Sequence, residues 1–176
     1  MNKIGIYYAY WTRNWDADFV PFVSKVKKLG FDVLEVNSGT VTLMPSSERD
    51  RLKNEAKRHD IELTFCIGLT AEYDIASPDA AVRANGVDFL RRQAEMLNYM
   101  DAKEMGGIIY GSWPGVMPPG ETNKRACLER SVTSMREVMK TVEDCGVLFN
   151  VEVVNRFEQY LLNTAAEAVD YVDMVD

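Results

Sequence analysis

Two glutamates near the end of the chain have the types and spacing that best suit chemistry. Glu152 lies in the apolar run V-E-V-V, and Glu158 follows six residues later in a polar turn. A carboxylate among valines is costly to desolvate unless a cation or a hydrogen-bond donor meets it. Glu152 is therefore predicted to bind a metal ion or a substrate hydroxyl, or else to be satisfied by backbone or an arginine. Taken alone, Glu158 is more typical of an acid near the first turn of a helix than of a functional residue.

Composition excludes several classes of protein. The 176 residues carry a net charge of −7, and a general nucleic-acid binder needs a basic face instead. No apolar run reaches the roughly 20 residues needed to span a membrane, and the N-terminus has no signal-peptide layout. The three cysteines are odd in number and form no C-x-x-C pair. We therefore expect reduced thiols, a cytoplasmic location, and neither a nucleic-acid nor a membrane partner.

The elements that must position these residues alternate along the chain. Short apolar runs predict strands at 3–9, 32–37, 61–67, 105–110 and 148–154. Amphipathic stretches predict helices at 16–29, 48–59, 77–99, 124–145 and 165–175. Expected helix signals are a stop at Gly30, caps at Ser46 or Ser47 and at Ser77, and a cap at Asn163 or Thr164. Strands joined by helical crossovers imply parallel pairing in one α/β domain over residues 1–176.

Five βα units fit either an open doubly wound sheet or part of an eight-stranded barrel. Polar or aromatic residues recur at the C-terminal strand ends, including Tyr7, Glu35, Cys66, Trp113 and Glu152. Barrel enzymes build their active sites at that end from several strands. No glycine-rich phosphate loop follows the first strand. The pattern favours a (β/α)8 TIM barrel, here about five βα units of an incomplete barrel.

At these residues the chain resembles the ketose 3-epimerases of the xylose-isomerase-like barrel superfamily. The segments that carry the resemblance are G-I-Y-Y-A-Y-W at 5–11, L-G-F-D-V-L-E at 29–35, C-I-G-L-T-A-E-Y-D at 66–74, A-S-P-D at 76–79, the Trp113-Pro114 turn, and E-V-V-N-R-F-E-Q-Y at 152–160. They are spread over the whole chain, and the last segment is the most specific.

The resemblance implies a metal-assisted epimerase that interconverts ketohexoses at C3, such as D-tagatose with D-sorbose and D-fructose with D-psicose. Glu152 matches a ligand of a divalent cation, Mn2+ (or Mg2+ or Co2+), and one of two carboxylates that transfer the C3 proton through an enediolate. Glu158 matches a substrate contact. The residues that match the rest of the sugar pocket are Tyr7, Trp15, Cys66, Ile108 and Trp113. Without the resemblance, these aromatics and Cys66 are more typical of a core.

The remaining three ligands of the family follow its fifth helix. We therefore expect this chain to be an N-terminal portion, to bind metal weakly or not at all, and to be inactive by itself. His59 is no substitute, because it lies late in a helix that leads into the third strand.

Two alternatives remain open at the level of the sequence. One is another isomerase of the superfamily, of the hydroxypyruvate isomerase or inosose dehydratase type, against which the segment 152–160 argues. The other is a non-catalytic half-barrel that self-associates through exposed strand edges. A homo-oligomer is expected, with a small ketose as the substrate.

Overall fold

The computed structural model describes residues 2–176 and contains five strands and six α-helices. The strands are β1 (Gly5–Tyr7), β2 (Val33–Asn37), β3 (Glu62–Leu69), β4 (Glu104–Ser112) and β5 (Leu148–Val151). The helices are α1 (Val20–Leu29), α2 (Ser38–Leu43), α3 (Ser46–His59), α4 (Ala80–Tyr99), α5 (Lys124–Cys145) and α6 (Ala165–Val175). None of the described helices has the length and apolar character that crossing a membrane requires.

The strand order decides between the two α/β architectures. All four strand pairs are parallel, and the order in the sheet is β1-β2-β3-β4-β5. A flavodoxin-like sheet would reverse direction and read 2-1-3-4-5. Sequential parallel neighbours are instead the arrangement of barrel strands. The predicted α/β class with five βα units is confirmed, whereas its extent as one domain over residues 1–176 stays a prediction.

The two faces of the sheet differ in composition. Side chains alternate between faces with a period of two, and the register aligns Val36 with Phe65 and Phe65 with Met105. These three are buried, as is Leu34, within the hydrophobic core that the helices cover. The side chains that alternate with these buried residues, such as Glu35, lie on the opposite face of the sheet. The helical layer therefore supplies stability, and the inner face is free to carry chemistry.

Several predicted boundaries were wrong. Strand β1 ends at Tyr7 because residues Tyr8–Tyr10 form a 3-10 turn, and β5 ends at Val151, so Glu152 follows the strand. Helix α1 begins only at Val20. The predicted stop at Gly30 is confirmed by its left-handed backbone, with φ of 83°.

Two predicted N-caps were also wrong. Neither Ser46 nor Ser47 caps α3: Ser46 is already helical, and Pro45 precedes it without a side-chain cap. Helix α4 is capped by Asp79, whose carboxylate accepts from the Ala81 N–H at 2.8 Å. The Ser77 hydroxyl accepts one step earlier, from the Asp79 N–H at 3.1 Å.

Candidate active site

A cleft of about 410 Å³ lies at the C-terminal ends of the strands. It brings together every residue that the sequence singled out for the site, namely Tyr7, Trp15, Cys66, Ile108, Trp113, Glu152 and Glu158. Asn37, Ile67, Gly68 and Thr70 line it as well. The chain thus places residues more than 140 positions apart in one concave site, although their individual roles stay predictions.

Backbone contacts fix the position of Glu152. Its N–H donates to the carbonyl of Gly107 at 2.9 Å, which continues the pairing of β5 with β4 past Val151. Its carbonyl accepts from the Tyr110 hydroxyl, also at 2.9 Å. The residue itself is exposed. The sequence-based expectation that its carboxylate is buried among valines was therefore wrong: the valines flank a side chain that faces the open cleft.

Tyr7 and Cys66 line the cleft side by side, and the half-buried Glu35 contacts Cys66. Burial raises the pKa of Glu35, and the negative charge of Glu152 adds to that rise. Burial, reinforced by the charge of Glu35, raises the pKa of the Cys66 thiol to about 12. Burial likewise raises the pKa of Tyr7, which contacts Cys66. A thiol with that pKa is neutral near pH 7, so Cys66 offers a small apolar surface and a weak donor, not a nucleophile.

Glu158 and Trp113 form the far wall. The Trp113 indole Nε1–H donates to Glu158 Oε2 at 3.1 Å, and Asn155 Nδ2 donates to Oε1 at 2.5 Å. The Trp15 ring lies edge-on to Trp113, with centroids 6.2 Å apart. Glu158 lies in an irregular segment before α6, so its alternative assignment as a first-turn helix acid was wrong. Its two oxygens are already oriented by neighbours, and its partly exposed edge faces the cleft.

Space at Gly68 allows Trp113 to reach this position. A Cβ atom on Gly68 would lie 2.9 Å from the Trp113 Cβ, and the Trp113 N–H donates to the Leu69 carbonyl at 2.6 Å. The Trp113-Pro114 peptide bond is cis. The hydrogen bond from the Trp113 N–H to Leu69 places the loop after β4 across the end of β3.

Asn37 and Tyr110 were not predicted as site residues, although Asn37 ends β2 and Tyr110 lies near the end of β4. Asn37 lines the cleft and accepts from the Thr40 N–H at 2.9 Å, so it also starts α2. Tyr110 is fully buried behind Glu152. Their position at the C-terminal end of a strand was the available signal, but it does not tell a structural partner from a pocket wall.

The acidic groups of the cleft do not by themselves complete a metal centre. Within residues 2–176 no three His, Cys, Asp or Glu side chains come close enough together to hold an ion. Glu152 is exposed and oriented into the cleft, which suits one carboxylate ligand. His59 lies outside the cleft and contacts Glu55 at 3.0 Å. The described residues thus fit one arm of a metal site and no more.

Comparison with known proteins agrees with the strand order and the cleft. A family model described as "Xylose isomerase-like TIM barrel" matches residues 23–176. The chain belongs to the xylose isomerase-like TIM barrel family. Members of such a barrel place their sites at the C-terminal strand ends, which is where the cleft lies.

Several members of this family are close in sequence. A D-psicose 3-epimerase of Ruminiclostridium cellulolyticum is 42% identical over 174 residues, covering 99% of this chain and 59% of the relative. A D-psicose 3-epimerase of Agrobacterium fabrum is 36% identical over 170 residues, covering 97% and 58%. The predicted resemblance to ketose 3-epimerases is confirmed. The chain spans about 59% of the length of the first of these curated relatives.

Solved structures give the same picture. The crystal structure of the D-psicose 3-epimerase from Clostridium cellulolyticum with D-tagatose superposes with a TM-score of 0.93 at 42% identity, covering 99% of this chain and 60% of that chain. A D-psicose 3-epimerase crystallised in the presence of D-fructose superposes with a TM-score of 0.92 at 36% identity. The backbone of the xylose isomerase-like barrel is thus reproduced along almost the whole chain.

Proposed function

We propose that this chain forms the N-terminal part of the active site of a ketose 3-epimerase, which interconverts ketohexoses such as D-fructose and D-psicose, or D-tagatose and D-sorbose, at C3. One observation carries the proposal: Glu152 and Glu158 face a single cleft at the C-terminal strand ends. Relatives named D-psicose 3-epimerase, 36–42% identical over nearly the whole chain, support it.

In this proposal Glu152 is a catalytic residue that exchanges the proton at C3 of the ketose. The backbone N–H and the backbone carbonyl of Glu152 each make a hydrogen bond of 2.9 Å. These two bonds fix the point from which its carboxylate extends into the cleft. Inversion at C3 requires a base that removes the C3 proton of the ketose to give a planar enediolate, and an acid on the opposite side that delivers a proton to the other face. The described cleft supplies the first of these two groups.

A divalent cation, Mn2+ (or Mg2+ or Co2+), is proposed as the cofactor of the complete enzyme, with Glu152 as one ligand. When bound, such a cation would lower the cost of negative charge on the enediolate oxygens. Because the described residues supply too few ligands, we expect weak Mn2+ binding, or none, to this chain alone.

The remaining cleft residues are proposed to hold the sugar. Glu158 can accept from substrate hydroxyls, since its carboxylate is already oriented by Trp113 and Asn155. The apolar and aromatic side chains of the cleft wall give shape but little hydroxyl recognition, which predicts loose selectivity among ketoses. The residues of that wall are Tyr7, Trp15, Cys66, Ile108 and Trp113.

The test is an assay of the complete protein with D-fructose, D-psicose and D-tagatose, with and without Mn2+, and separation of the ketoses by chromatography. We expect C3 epimers to form in the presence of Mn2+. Exchange at C3 of no ketose would refute the proposal. Turnover of hydroxypyruvate or an inosose instead would assign the site to another isomerase or a dehydratase of the same barrel family.

We also propose a cytoplasmic homo-oligomer. All three cysteines are free thiols, which suits a reducing compartment. In the described sheet β1 pairs only with β2 and β5 only with β4, so both outer strands present an edge. The side chain of Leu148 on β5 is 62% exposed. Sedimentation velocity of the chain is expected to show association, and a monomer at all concentrations would contradict that expectation.

A further inference from the structure

A buried glutamine lies directly behind the wall of the cleft that Trp113 and Glu158 form, here called the substrate wall. Gln159 follows Glu158 in the chain, yet it is only 1% exposed and points away from the cleft into the protein. Its Nε2 donates to the Ser112 carbonyl at 2.8 Å. Its Oε1 accepts from the N–H groups of Tyr160 at 2.5 Å and Leu161 at 2.9 Å. One side chain thus ties the segment that carries Glu158 to the loop that carries Trp113.

The loop after β4 leaves room for this amide. A Cβ on Gly111 would lie 2.8 Å from Gln159 Nε2. A Cβ on Gly115 would overlap both Nε2 and the amide carbon. Two glycines four residues apart therefore form a slot that fits the glutamine amide, with the Ser112 carbonyl at its base.

The slot and the substrate wall belong to the same pair of segments. The Gly115 N–H donates to the Glu158 carbonyl at 2.7 Å, and the Trp113 indole donates to the Glu158 carboxylate at 3.1 Å. Any movement of residues 111–115 relative to 158–161 must therefore change the Trp113–Glu158 contact. Gln159 is the one side chain among the described residues that hydrogen-bonds across this junction from the buried side.

We infer that Gln159 is a positioning residue for the substrate-binding pair Trp113 and Glu158, holding the two segments in register through the Ser112 carbonyl. The inference rests on the proposed function for its effect on catalysis. Its effect on structure concerns the Trp113–Glu158 hydrogen bond, which is present whether or not the protein turns over a ketose. Gln159 does not line the cleft, so it acts through these two residues.

The first test is spectroscopic and needs no activity. The chain has three tryptophans, so its indole Nε1–H groups give three resonances in a ¹⁵N-labelled sample, and Trp113→Phe assigns one of them. Glu158→Ala sets the position of the Trp113 resonance when its acceptor is absent. Gln159→Glu keeps the oxygen that accepts from Tyr160 and Leu161 but replaces the donating nitrogen. We expect it to move the Trp113 resonance towards the Glu158→Ala position.

A second variant reaches the same junction from the other side. Gly115→Ala places a Cβ 2.2 Å from Gln159 Nε2 and 2.6 Å from the Ser112 carbonyl, so it disrupts the contact between these two groups and is expected to shift the Trp113 resonance in the same direction. Gly106→Ala is the matched control, because its Cβ would meet nothing closer than 3.8 Å. A Trp113 resonance that stays at its original position in both folded variants would overturn the inference. If Gln159→Glu does not fold, Gly115→Ala alone decides the outcome.

The kinetic test uses the complete protein. Because Gln159 aligns the substrate wall and not Glu152, Gln159→Glu is expected to raise KM about tenfold, which corresponds to roughly 1.4 kcal/mol, with kcat little changed. A side chain that only stabilised the fold would lower the active fraction, and so kcat, at constant KM. That second pattern would overturn the inference. Absence of all epimerase activity in the unsubstituted protein would refute the proposed function and leave the indole result standing.

Discussion

The buried Tyr110 hydroxyl links the stability of the fold to the placement of Glu152. It donates to the Glu152 carbonyl at 2.9 Å and lies 3.4 Å from the Leu162 carbonyl. Tyr110→Phe keeps the ring and creates no cavity, but it leaves these acceptors without their donor. A buried acceptor left unpaired costs about 1–3 kcal/mol. For a chain of this size, a loss of about 2 kcal/mol lowers Tm by roughly 4–8 °C.

Differential scanning calorimetry and urea unfolding measure this loss directly. The matched control is Tyr10→Phe, because Tyr10 is 77% exposed and surface changes usually stay within about 0.5 kcal/mol. If Tyr110→Phe unfolds at the same urea concentration as Tyr10→Phe, the hydroxyl does not anchor the end of β5. In the complete protein we expect Tyr110→Phe to lower kcat, since the backbone that carries Glu152 is then less constrained.

Three further predictions concern the last helix and the cleft thiol. Thr164→Ala removes the capping box of α6 and should cost about 1 kcal/mol in urea unfolding. Hydrogen bonds from Lys124 and from the Asn163 N–H hold the pKa of Glu167 at about 2, below its ordinary 4.5. Its contribution to stability is therefore complete above about pH 4.5 and is lost as the pH falls towards 2, a loss that Glu167→Gln should lack. Cys66, with a pKa near 12, should react with iodoacetamide at pH 8.5 far more slowly in the folded than in the urea-unfolded chain.

Each of these three predictions has an outcome that would contradict it. Thr133→Ala is the control for the cap, since Thr133 lies within α5 and donates only to the Glu129 carbonyl; an equal loss in both variants would refute the capping argument. Parallel stability curves for wild type and Glu167→Gln between pH 5 and pH 2 would show that this carboxylate is not specially stabilised. Equal labelling rates for folded and unfolded Cys66 would contradict its partial burial in the cleft wall.

Local sequence signals predicted the long elements well. The helix over 124–145 was predicted with its observed bounds, because its apolar spacing is regular and Gly146 supplies the left-handed end, with φ of 65°. The helix over 165–175 was also correct, since Thr164 and Glu167 form a capping box that is legible in the sequence. In these segments local preference and tertiary packing agree.

Helix α2 shows why other elements were missed. Its sequence S-G-T-V-T-L contains weak helix formers, and propensity argues against a helix there. The Asn37 side chain starts it, and the buried Ser38 hydroxyl donates to Gln93 Oε1 of α4 at 2.6 Å. The helix thus depends on a contact 55 residues away in the chain, which no local pattern contains.

The candidate site likewise contains residues that the sequence predicted and residues that it did not. Composition and spacing pointed to Glu152 and Glu158, and the resemblance to ketose 3-epimerases supplied five more cleft residues, namely Tyr7, Trp15, Cys66, Ile108 and Trp113. Gln159 and Tyr110 were not predicted as partners of the site. Both act through backbone carbonyls of distant segments, at Ser112 and at Glu152. Only the fold brings those carbonyls within hydrogen-bonding distance.

We propose that Glu152 exchanges the C3 proton of a ketose. The most direct measurement is ¹H NMR of D-psicose incubated with the complete protein and Mn2+ in D2O, with Glu152→Gln beside the exposed-helix control Glu48→Gln. We expect epimer formation with loss of the C3 proton signal for wild type and Glu48→Gln, and neither for Glu152→Gln. Epimer formation at an unchanged rate by Glu152→Gln would contradict it.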